Sequence, residues 1–176
     1  MRWGFNISVN SSIISRTPVT TNVGSLDLAG TVPAGSNEPL PGLTYGCLNA
    51  GCGKADLAKA VDAFNSTYAG QKNANGGTIN PLTLPSDYQL GEPTFTQDFR
   101  VTKVFHYKER AKVSLFGEIF NAFNIANLSG YSFALDTRNA NPAAQSFSFG
   151  QPTQRVNQTF GSGGPRAFQI GARFSF

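Results

Sequence analysis

The two cysteines, Cys47 and Cys52, are the first residues with the potential for chemistry. They lie in the glycine-rich run CLNAGCGK, with four residues between them, so they could close a small disulfide in an oxidising compartment. A structural zinc site has four ligands, and two thiols supply only half of them. The single histidine, His106, lies far along the chain, so no metal site is predicted. The spacing also excludes a redox-active CxxC motif. A loop disulfide is therefore predicted, with two unbonded thiols as the alternative.

A second group of candidate residues consists of charged side chains in the middle of the chain. Asp98 and Glu118 fall on the polar faces of two neighbouring predicted strands, with Arg100 and Lys112 nearby. A carboxylate pair is the arrangement that glycosidases use, but a ladder of salt bridges is the favoured interpretation. His106 has no partner placed by spacing, so no Ser-His-Asp set is predicted. We predict no catalytic residue, no metal, no cofactor and no enzyme activity.

Four segments with period-two alternation must position these side chains. They predict strands near residues 2–20, 95–107, 111–122 and 166–176. The last of them, PRAFQIGARFSF, is the most regular, because its even positions are apolar and its odd positions are mostly polar. Side chains alternate between the two faces of a strand, so this segment would carry one apolar and one polar face.

The composition suits strands and turns better than an ordinary water-exposed domain. Charged residues make up 14% of the chain, against roughly 25% for a typical soluble domain, while 15 residues are Phe and 19 are Gly. The formal net charge of +4 is scattered, so no nucleic-acid partner is predicted. No apolar run approaches the roughly 18 residues of a membrane-spanning helix. The start, MRWGFNISVN, lacks a signal-peptide core, and we expect a natural N-terminus further upstream.

The connections between the predicted strands differ greatly in length. The second and third strands are joined by HYKER, a tight turn, whereas residues 21–94 and 123–165 are long segments rich in Gly, Pro, Asn and Ser. Such long connections are unusual in compact soluble domains. They are typical of outer-membrane barrels, which have short periplasmic turns and long external loops. If the chain ends at the periplasmic rim, HYKER lies there too, and both long segments lie outside.

One helix is predicted within the first long segment. In KADLAKAVDAFNSTYAG, the apolar residues Leu57, Val61 and Phe64 recur at three- and four-residue spacing, and Gly70 is a plausible stop. The apolar stripe is expected to pack on the rest of the loop rather than to bind a ligand. Together with a disulfide, such a helix could order the loop over the mouth of a barrel.

Three runs of the sequence carry a resemblance to a known family. The run DFRVTKVFHYKERAKVSLFGEIFNAFN, followed later by FGQPTQR and PRAFQIGARFSF, is similar to the end of TonB-dependent receptors, particularly the group with an N-terminal carboxypeptidase-regulatory-like domain. The similarity covers residues 95–176 well and the first twenty residues loosely, whereas residues 21–94 match only as a variable external loop. The terminal strand indicates an outer-membrane barrel, and FGEIFNAFN narrows the resemblance to this group.

Receptors of this family have parts that this sequence does not contain. They carry a signal peptide, a TonB-contacting box, a plug domain and about 22 strands. Four strands cannot close on themselves, since the smallest barrels need about eight. We therefore expect the chain to be the C-terminal piece of a larger gene product, or a truncated gene.

The resemblance implies an all-β fold, in which an antiparallel meander forms about the last four strands of a large transmembrane β-barrel with two long extracellular loops. Membrane-facing side chains in the terminal strand would be Phe168, Ile170, Ala172, Phe174 and Phe176. Lumen-facing side chains would include Asp98, Arg100, Glu118 and Arg173. The candidate solute contacts in the loops are Tyr45, Tyr68, Tyr88 and Tyr131.

The function implied by the resemblance is import of a bulky solute, such as a metal chelate or an oligosaccharide, across the bacterial cell outer membrane. The implied partners are outer-membrane lipid, the barrel-assembly machinery through the C-terminal strand, and the TonB complex only through the missing N-terminal parts. Two alternatives stay open: a passive or structural outer-membrane barrel, and a secreted soluble β-rich binding protein. An amphipathic strand in a soluble sandwich alternates in the same way.

Overall fold

The structure is a computed structural model that describes residues 4–24, 26–28, 37–107, 111–141, 148–158, 160, 161 and 163–176. The chain divides into two compact units, each built from separate stretches of sequence. The first, here called the sheet unit, comprises Met1–Ser15, Glu92–Ser129 and Gln154–Phe176. The second, here called the disulfide unit, comprises Arg16–Gly91 and Gly130–Thr153.

The secondary structure is mostly β, with one helix in the described part of the chain. In chain order the elements are β1 (Phe5–Ile14), β2 (Asn22–Gly24), β3 (Asn37–Pro39), α1 (Lys54–Tyr68), β4 (Thr94–Tyr107), β5 (Ala111–Phe120), β6 (Leu128–Ser129), β7 (Ala134–Asp136), β8 (Gln154–Arg155) and β9 (Ala167–Ser175).

The sheet unit is built on a four-stranded sheet in the order β1-β4-β5-β9, with every neighbouring pair antiparallel. The predicted antiparallel meander of four long strands is therefore confirmed. At one end of the sheet, Ile14 pairs with Thr94 and Phe120 pairs with Ala167, so both long connections leave from this end. The short connection between β4 and β5 is at the other end. Its residues 108–110, within the predicted HYKER turn, lie outside the described residues.

The ends of two strands differ from the predicted boundaries. β1 ends at Ile14 rather than near residue 20, because the chain passes into the disulfide unit, where the Val19 N–H donates to the Leu48 carbonyl at 3.0 Å. β5 ends at Phe120 rather than at residue 122. Asn121 follows with φ of 45°, a left-handed conformation that breaks an extended strand.

The disulfide unit includes parts of residues 21–94 and 123–165, which the sequence predicts as two long loops, the first with a short helix. Parts of both segments fold around one apolar core, and β2 lies in a small sheet between β3 and β7. The register joins the two segments directly, since Val23 pairs with Glu38 on one side and with Leu135 on the other. The buried apolar core consists of Val23, Leu26, Leu40, Leu48, Leu57, Ala60, Val61, Phe64, Ile79, Leu82, Tyr88, Leu90, Leu135 and Phe149.

Helix α1 confirms the helix predicted from the apolar spacing. Leu57, Val61 and Phe64 are buried in the core, and the Gly53 N–H donates to the Asp56 carboxylate at 2.9 Å at the first turn. Gly70 follows the helix with φ of 86°, which suits its role as a stop. Within the described ranges, no helix is both long enough and apolar enough to cross a membrane.

Candidate functional site

The two units distribute their apolar side chains in opposite ways. Among the described residues, all fourteen buried hydrophobic residues belong to the disulfide unit, and sixteen of the seventeen exposed large hydrophobic residues belong to the sheet unit. The buried polar residues of the sheet unit are Thr96, Asp98, Asn121 and Asn127. Single exposed apolar side chains are common in folded proteins, whereas a contiguous exposed patch of large ones is informative.

Most of the exposed apolar side chains of the four long strands lie together on one face of the sheet, here called the apolar face. Register places them side by side: Val9 pairs with Phe99, Phe99 with Ile119, and Ile119 with Phe168. The predicted membrane-facing residues belong to this face, and Phe168, Ile170 and Phe174 are 70%, 89% and 71% exposed. Ala172 pairs with Leu115 on the same face, and Phe176 follows the last residue of β9 and is fully exposed.

A shallow hollow of about 360 Å³ lies in the apolar face at Gly117. Its lining includes the side chains of Phe99, Val101, Phe168 and Ile170. A Cβ built at Gly117 would meet no atom within 4 Å, and the residue does not have a positive φ. Neither packing nor backbone conformation therefore requires a glycine at this position.

A single charged side chain, Lys103, lies on the apolar face among the described residues of the four strands. Its Nζ lies 4.1 Å from the ring centroid of Phe5 and 5.7 Å from that of Phe105. Such contacts between a cation and an aromatic ring are attractive, and more so away from water. The sequence pattern did not single out this residue, although Lys103 stands between the apolar residues Val101 and Phe105.

The opposite face of the sheet, here called the polar face, holds the four predicted lumen-facing residues. Arg100 and Glu118 pair in register, and their side chains form an ion pair at 4.0 Å. Asp98 is buried, and its carboxylate accepts the Asn121 N–H at 2.8 Å. Arg173 lies opposite Ser114. Among the described residues of these strands, the expected ladder of salt bridges is represented by the Arg100–Glu118 pair, and the Asp98 carboxylate accepts a backbone N–H.

Phe116 lies on the polar face, where the sequence alone offered no reason for an aromatic residue. It pairs in register with Gly171, and a Cβ at Gly171 would collide with the ring of Phe116. The Arg100 guanidinium carbon lies 4.2 Å from the centroid of the same ring. Glycine at position 171 therefore makes room for Phe116, and the ring in turn supports Arg100.

Two buried asparagines hold the end of the sheet from which the long connections leave. The Asn127 side chain accepts the Phe95 N–H at 2.8 Å and donates to the carbonyls of Phe95 and Gly163, both at 3.0 Å. Asn121 donates to the Gly164 carbonyl at 2.7 Å and accepts the Ile125 N–H at 3.0 Å. Sequence reasoning missed both residues, although the three closely spaced asparagines of NAFNIAN were a usable signal.

Cys47 and Cys52 form a disulfide bond in the structure, with their Cα atoms 5.2 Å apart. The bond spans a tight turn in which the Cys47 carbonyl accepts the N–H groups of Ala50, Gly51 and Cys52. Leu48, within the turn, is buried in the core of the disulfide unit. The bond therefore fastens a turn that anchors the core.

The four tyrosines predicted as solute contacts occupy different environments. Tyr45 is 80% exposed. Tyr68 packs against the core, with its ring 5.2 Å from that of Phe64, and Tyr131 stacks on Phe133 at 6.2 Å. Tyr88 is buried, which raises the pKa of its phenol and leaves little of its surface open to a solute. Its place on the core explains why: its ring packs edge-on against an aromatic neighbour, Phe149.

In the part of the chain that the structure describes, no three His, Cys, Asp or Glu residues are grouped so as to hold a metal ion. Comparisons with protein families, with curated proteins and with solved structures find no match to this chain. The two contrasting faces of the sheet are therefore the feature on which a functional argument must rest.

Proposed function

We propose that the chain is part of a bacterial outer-membrane β-barrel of the TonB-dependent receptor kind, which imports a bulky solute such as a metal chelate or an oligosaccharide. The observation that carries the proposal is the exposed apolar face of the sheet unit, backed by a face bearing Arg100, Glu118 and Arg173. Outer-membrane barrels alternate in this way, with apolar side chains toward lipid and polar side chains toward the lumen.

The energetic argument favours lipid as the medium around the apolar face. Removing one large apolar side chain from water stabilises a protein by roughly 1.5–3 kcal/mol, and Phe168, Ile170 and Phe174 each leave most of their surface exposed. In hydrocarbon these side chains would be solvated. In water they would form an extended apolar patch of the kind that marks an interaction surface or causes aggregation.

The backbone argument favours a larger barrel. Among the described strands, β1 and β9 each pair with one neighbour, so each has one edge whose backbone groups form no hydrogen bonds to another described strand. Hydrocarbon offers no hydrogen bonds to such an edge, and four strands cannot close on themselves. The proposal therefore requires further strands, which continue the sheet beyond β1 and β9.

The connections support an orientation for the sheet in the membrane. Both long connections leave the end at which Ile14 pairs with Thr94, and the short one lies at the other end. Barrels of the outer membrane keep short turns on the periplasmic side and longer loops outside. The proposal therefore assigns the disulfide unit to the extracellular side, an oxidising location that suits the Cys47–Cys52 bond.

The proposal that import is driven by the TonB complex rests on the resemblance of three sequence runs to the ends of such receptors. Residues 95–176 carry most of this resemblance. Contacts with TonB belong to regions of those receptors outside the similarity. The loop residue that best suits contact with a solute is Tyr45, because its ring is exposed.

The membrane assignment is tested by spin labels along β9 after the complete gene product that supplies the further strands is refolded into phospholipid vesicles. The native cysteines are bonded, so one introduced cysteine gives one free thiol. Labels at I170C and F174C should collide with oxygen, which is concentrated in lipid, and labels at Q169C and R173C with a water-soluble nickel chelate. Equal accessibility at all four positions, or no change between vesicles and buffer, would contradict the proposal.

A pair of arginine substitutions gives a second test of the same face. Ile170→Arg places a charge on the lipid side, which costs about 2–4 kcal/mol near the bilayer midplane, whereas Gln169→Arg places it on the polar face. We expect I170R to destabilise the refolded chain, measured by urea unfolding in vesicles, and Q169R to leave it near the original stability. Equal effects would count against a lipid-facing surface.

The import function needs a separate test in the host bacterium. Deleting the gene should abolish growth on one member of a panel of metal chelates and oligosaccharides supplied as the sole source. A strain without the TonB complex should lose growth on the same compound. Normal growth of the deletion strain on the whole panel, or growth that does not depend on TonB, would argue for a passive or structural barrel.

A further inference from the structure

We propose that the polar face of the sheet carries a binding site for a phosphate group, formed by Lys112 and Arg173 with the hydroxyl groups of Ser114 and Ser175. These four side chains, together with His106, are here called the basic patch. The inference rests on the proposed function in one respect, since it takes the phosphate to belong to the solute that the barrel imports. It deepens that function by naming a substrate class, solutes that carry a phosphate monoester.

Register brings the basic patch together from three strands. Lys112 of β5 pairs with His106 on one side and with Ser175 on the other. Two positions along β5, Ser114 pairs with Arg173. Directly opposed Cβ atoms of a sheet lie about 4.5–5.5 Å apart, and diagonal neighbours such as Lys112 and Arg173 lie about 7–8 Å apart. The long side chains of lysine and arginine can therefore converge on one group above the sheet.

Neither cation of the basic patch is matched by a carboxylate in the part of the chain that the structure describes. The ion pairs within these residues do not include Lys112 or Arg173. Glu118, the acidic residue of β5, lies six positions from Lys112 and is already paired with Arg100. Asp98 of the polar face is buried and accepts a backbone N–H. Two like charges on neighbouring strands repel each other, so an anion between them stabilises the sheet.

The polar groups of the basic patch can all donate hydrogen bonds to an oxyanion. The Arg173 guanidinium presents a planar fork of N–H groups, the Lys112 ammonium has three N–H groups, and each serine has one hydroxyl. Both cationic side chains are exposed, so a solute can reach them. Hydrogen bonds between ionised partners are shorter and stronger than neutral ones. The patch therefore has the chemistry of an anion site rather than that of a metal site.

The charge of the basic patch selects a phosphate monoester over a carboxylate. Lys112 and Arg173 carry two formal positive charges at pH 7, and a phosphate monoester carries about −1.5 to −2. A carboxylate supplies one negative charge and would leave one cation unmatched. A phosphate monoester also has three strong acceptor oxygens, which can contact the arginine fork, the ammonium and a serine hydroxyl together.

The position of the basic patch argues against a lipid headgroup as the source of the phosphate. The patch residues alternate along their strands with Val113 and Phe174, which pair with each other on the apolar face. Successive side chains of a strand point to opposite faces, so the phosphate must approach from the side that the proposed function assigns to the lumen. Lys112 is the second residue of β5, next to the short connection. A solute moving inward would therefore meet the patch near the periplasmic end.

Isothermal titration calorimetry of the complete gene product in detergent micelles tests the proposal, with glucose 6-phosphate as the probe and glucose as its neutral match. We expect glucose 6-phosphate to bind and glucose to bind at least tenfold more weakly. Arg173→Gln and Lys112→Gln should each weaken the affinity for glucose 6-phosphate about tenfold, which corresponds to about 1.4 kcal/mol. The double variant should bind no measurable probe. Arg173→Lys keeps the charge and loses the fork, so it should weaken binding less than R173Q does.

Matched controls remove the same charges elsewhere. Arg166→Gln lies just before β9, Lys59→Gln lies on α1, and both positions are exposed. Both variants should bind glucose 6-phosphate as the unaltered protein does, and circular dichroism should show the same strand content in all variants. Glu109 belongs to the short connection and lies outside the described residues. Glu109→Gln should leave the affinity unchanged, and a rise would overturn the proposal by showing that a carboxylate of the chain fills the patch.

The outcomes separate this inference from the proposed function. Unchanged affinity in both R173Q and K112Q, with alternating spin-label accessibility along β9, would overturn the phosphate site and leave the membrane assignment intact. Loss of the alternation would contradict the membrane assignment, whereas the variant series would still decide the phosphate site, which depends on the register of β4, β5 and β9. Tighter binding of glucuronate, a carboxylate of similar size, would overturn the choice of phosphate.

Discussion

The ring of Phe116 occupies the space that a side chain at Gly171 would need on the neighbouring strand. Because Arg100 stacks on the same ring, three strands of the sheet are linked on the polar face by one aromatic group. The contact also explains why Phe116 lies among polar neighbours, because its ring on β5 fills the space left by the absent side chain of Gly171 on β9.

Substituting Gly171 should therefore destabilise the sheet. We expect Gly171→Val to cost about 1–3 kcal/mol, the usual penalty for overpacking, because Phe116 must leave its position and Arg100 loses its support. Gly117→Val is the matched control on the paired strand, where the new side chain would meet open space. Urea unfolding in vesicles measures both variants, and equal stability of the two would contradict the assigned role of Gly171.

Asn127, whose side chain bonds the backbone of Phe95 near the start of β4, gives a second prediction. Asn127→Ala removes three hydrogen bonds and takes the partner from the part-buried Phe95 N–H and from the Gly163 carbonyl, whose bond is buried. Because an unsatisfied buried group costs about 1–3 kcal/mol, we expect the unfolding free energy to fall by about 2–4 kcal/mol. Asn157→Ala, an exposed position in the same unit, should change it by less than about 0.5 kcal/mol. A small effect at Asn127 would show that solvent can replace its bonds.

The disulfide should contribute to the stability of the disulfide unit. Replacing both Cys47 and Cys52 by alanine removes a cross-link across a short loop, which corresponds to about 2 kcal/mol in the chain-entropy account. Hydrogen exchange of the α1 amides should become faster in this variant. A reducing agent should speed exchange in the unaltered chain and have no effect on the double variant. Unchanged exchange in both comparisons would mean that the turn is held by its backbone bonds alone.

Acid should weaken one local contact in the disulfide unit. Side-chain hydrogen bonds from Arg138 hold the pKa of Asp136 below its ordinary value. A carboxylate with a lowered pKa stabilises the fold above its unfolded-state pKa, and the contribution is lost as pH falls through the folded-state pKa. The effect should be small, because the Arg138 side chain is 69% exposed and the Asp136 side chain is 31% exposed, so water screens the pair.

Thermal unfolding between about pH 5 and pH 2 measures this contribution. We expect the midpoint of Asp136→Asn to fall less steeply with acid than that of the unaltered chain. High salt should narrow the difference, since it screens exposed charges. Parallel pH profiles of the two proteins would show that the pair does not stabilise the fold.

The long strands and the helix could be predicted because their signal is local. Alternation of period two assigned Phe168 and Gln169 to opposite faces, and the three- to four-residue spacing of Leu57 and Phe64 indicated the helix. Such patterns are readable because each side chain of a strand or helix faces a single environment. Their ends were less accurate, since the turn at Asn121 depends on bonds to residues far along the chain.

The disulfide unit could not be predicted because its contacts join distant residues. β2 is three residues long, which is too short to show a periodic pattern. Its residue Val23 pairs with Leu135, more than a hundred positions further along the chain. The Asp98 carboxylate was assigned to a salt bridge for the same reason, because nothing near it in sequence announces the backbone N–H of Asn121. The charge of a carboxylate predicts that it will attract a donor, but it does not identify which donor in the folded chain will bond to it.

Because β2 pairs in parallel with β7, we expect the two long segments to evolve together. Val23 is hydrogen-bonded into a ladder whose outer members come from both segments. Recombination that replaced one segment alone would leave the core residues of the other segment packed against side chains that do not fit them. Variation in the two segments should therefore be inherited jointly, and a chimera intended to alter recognition must transplant them as a pair.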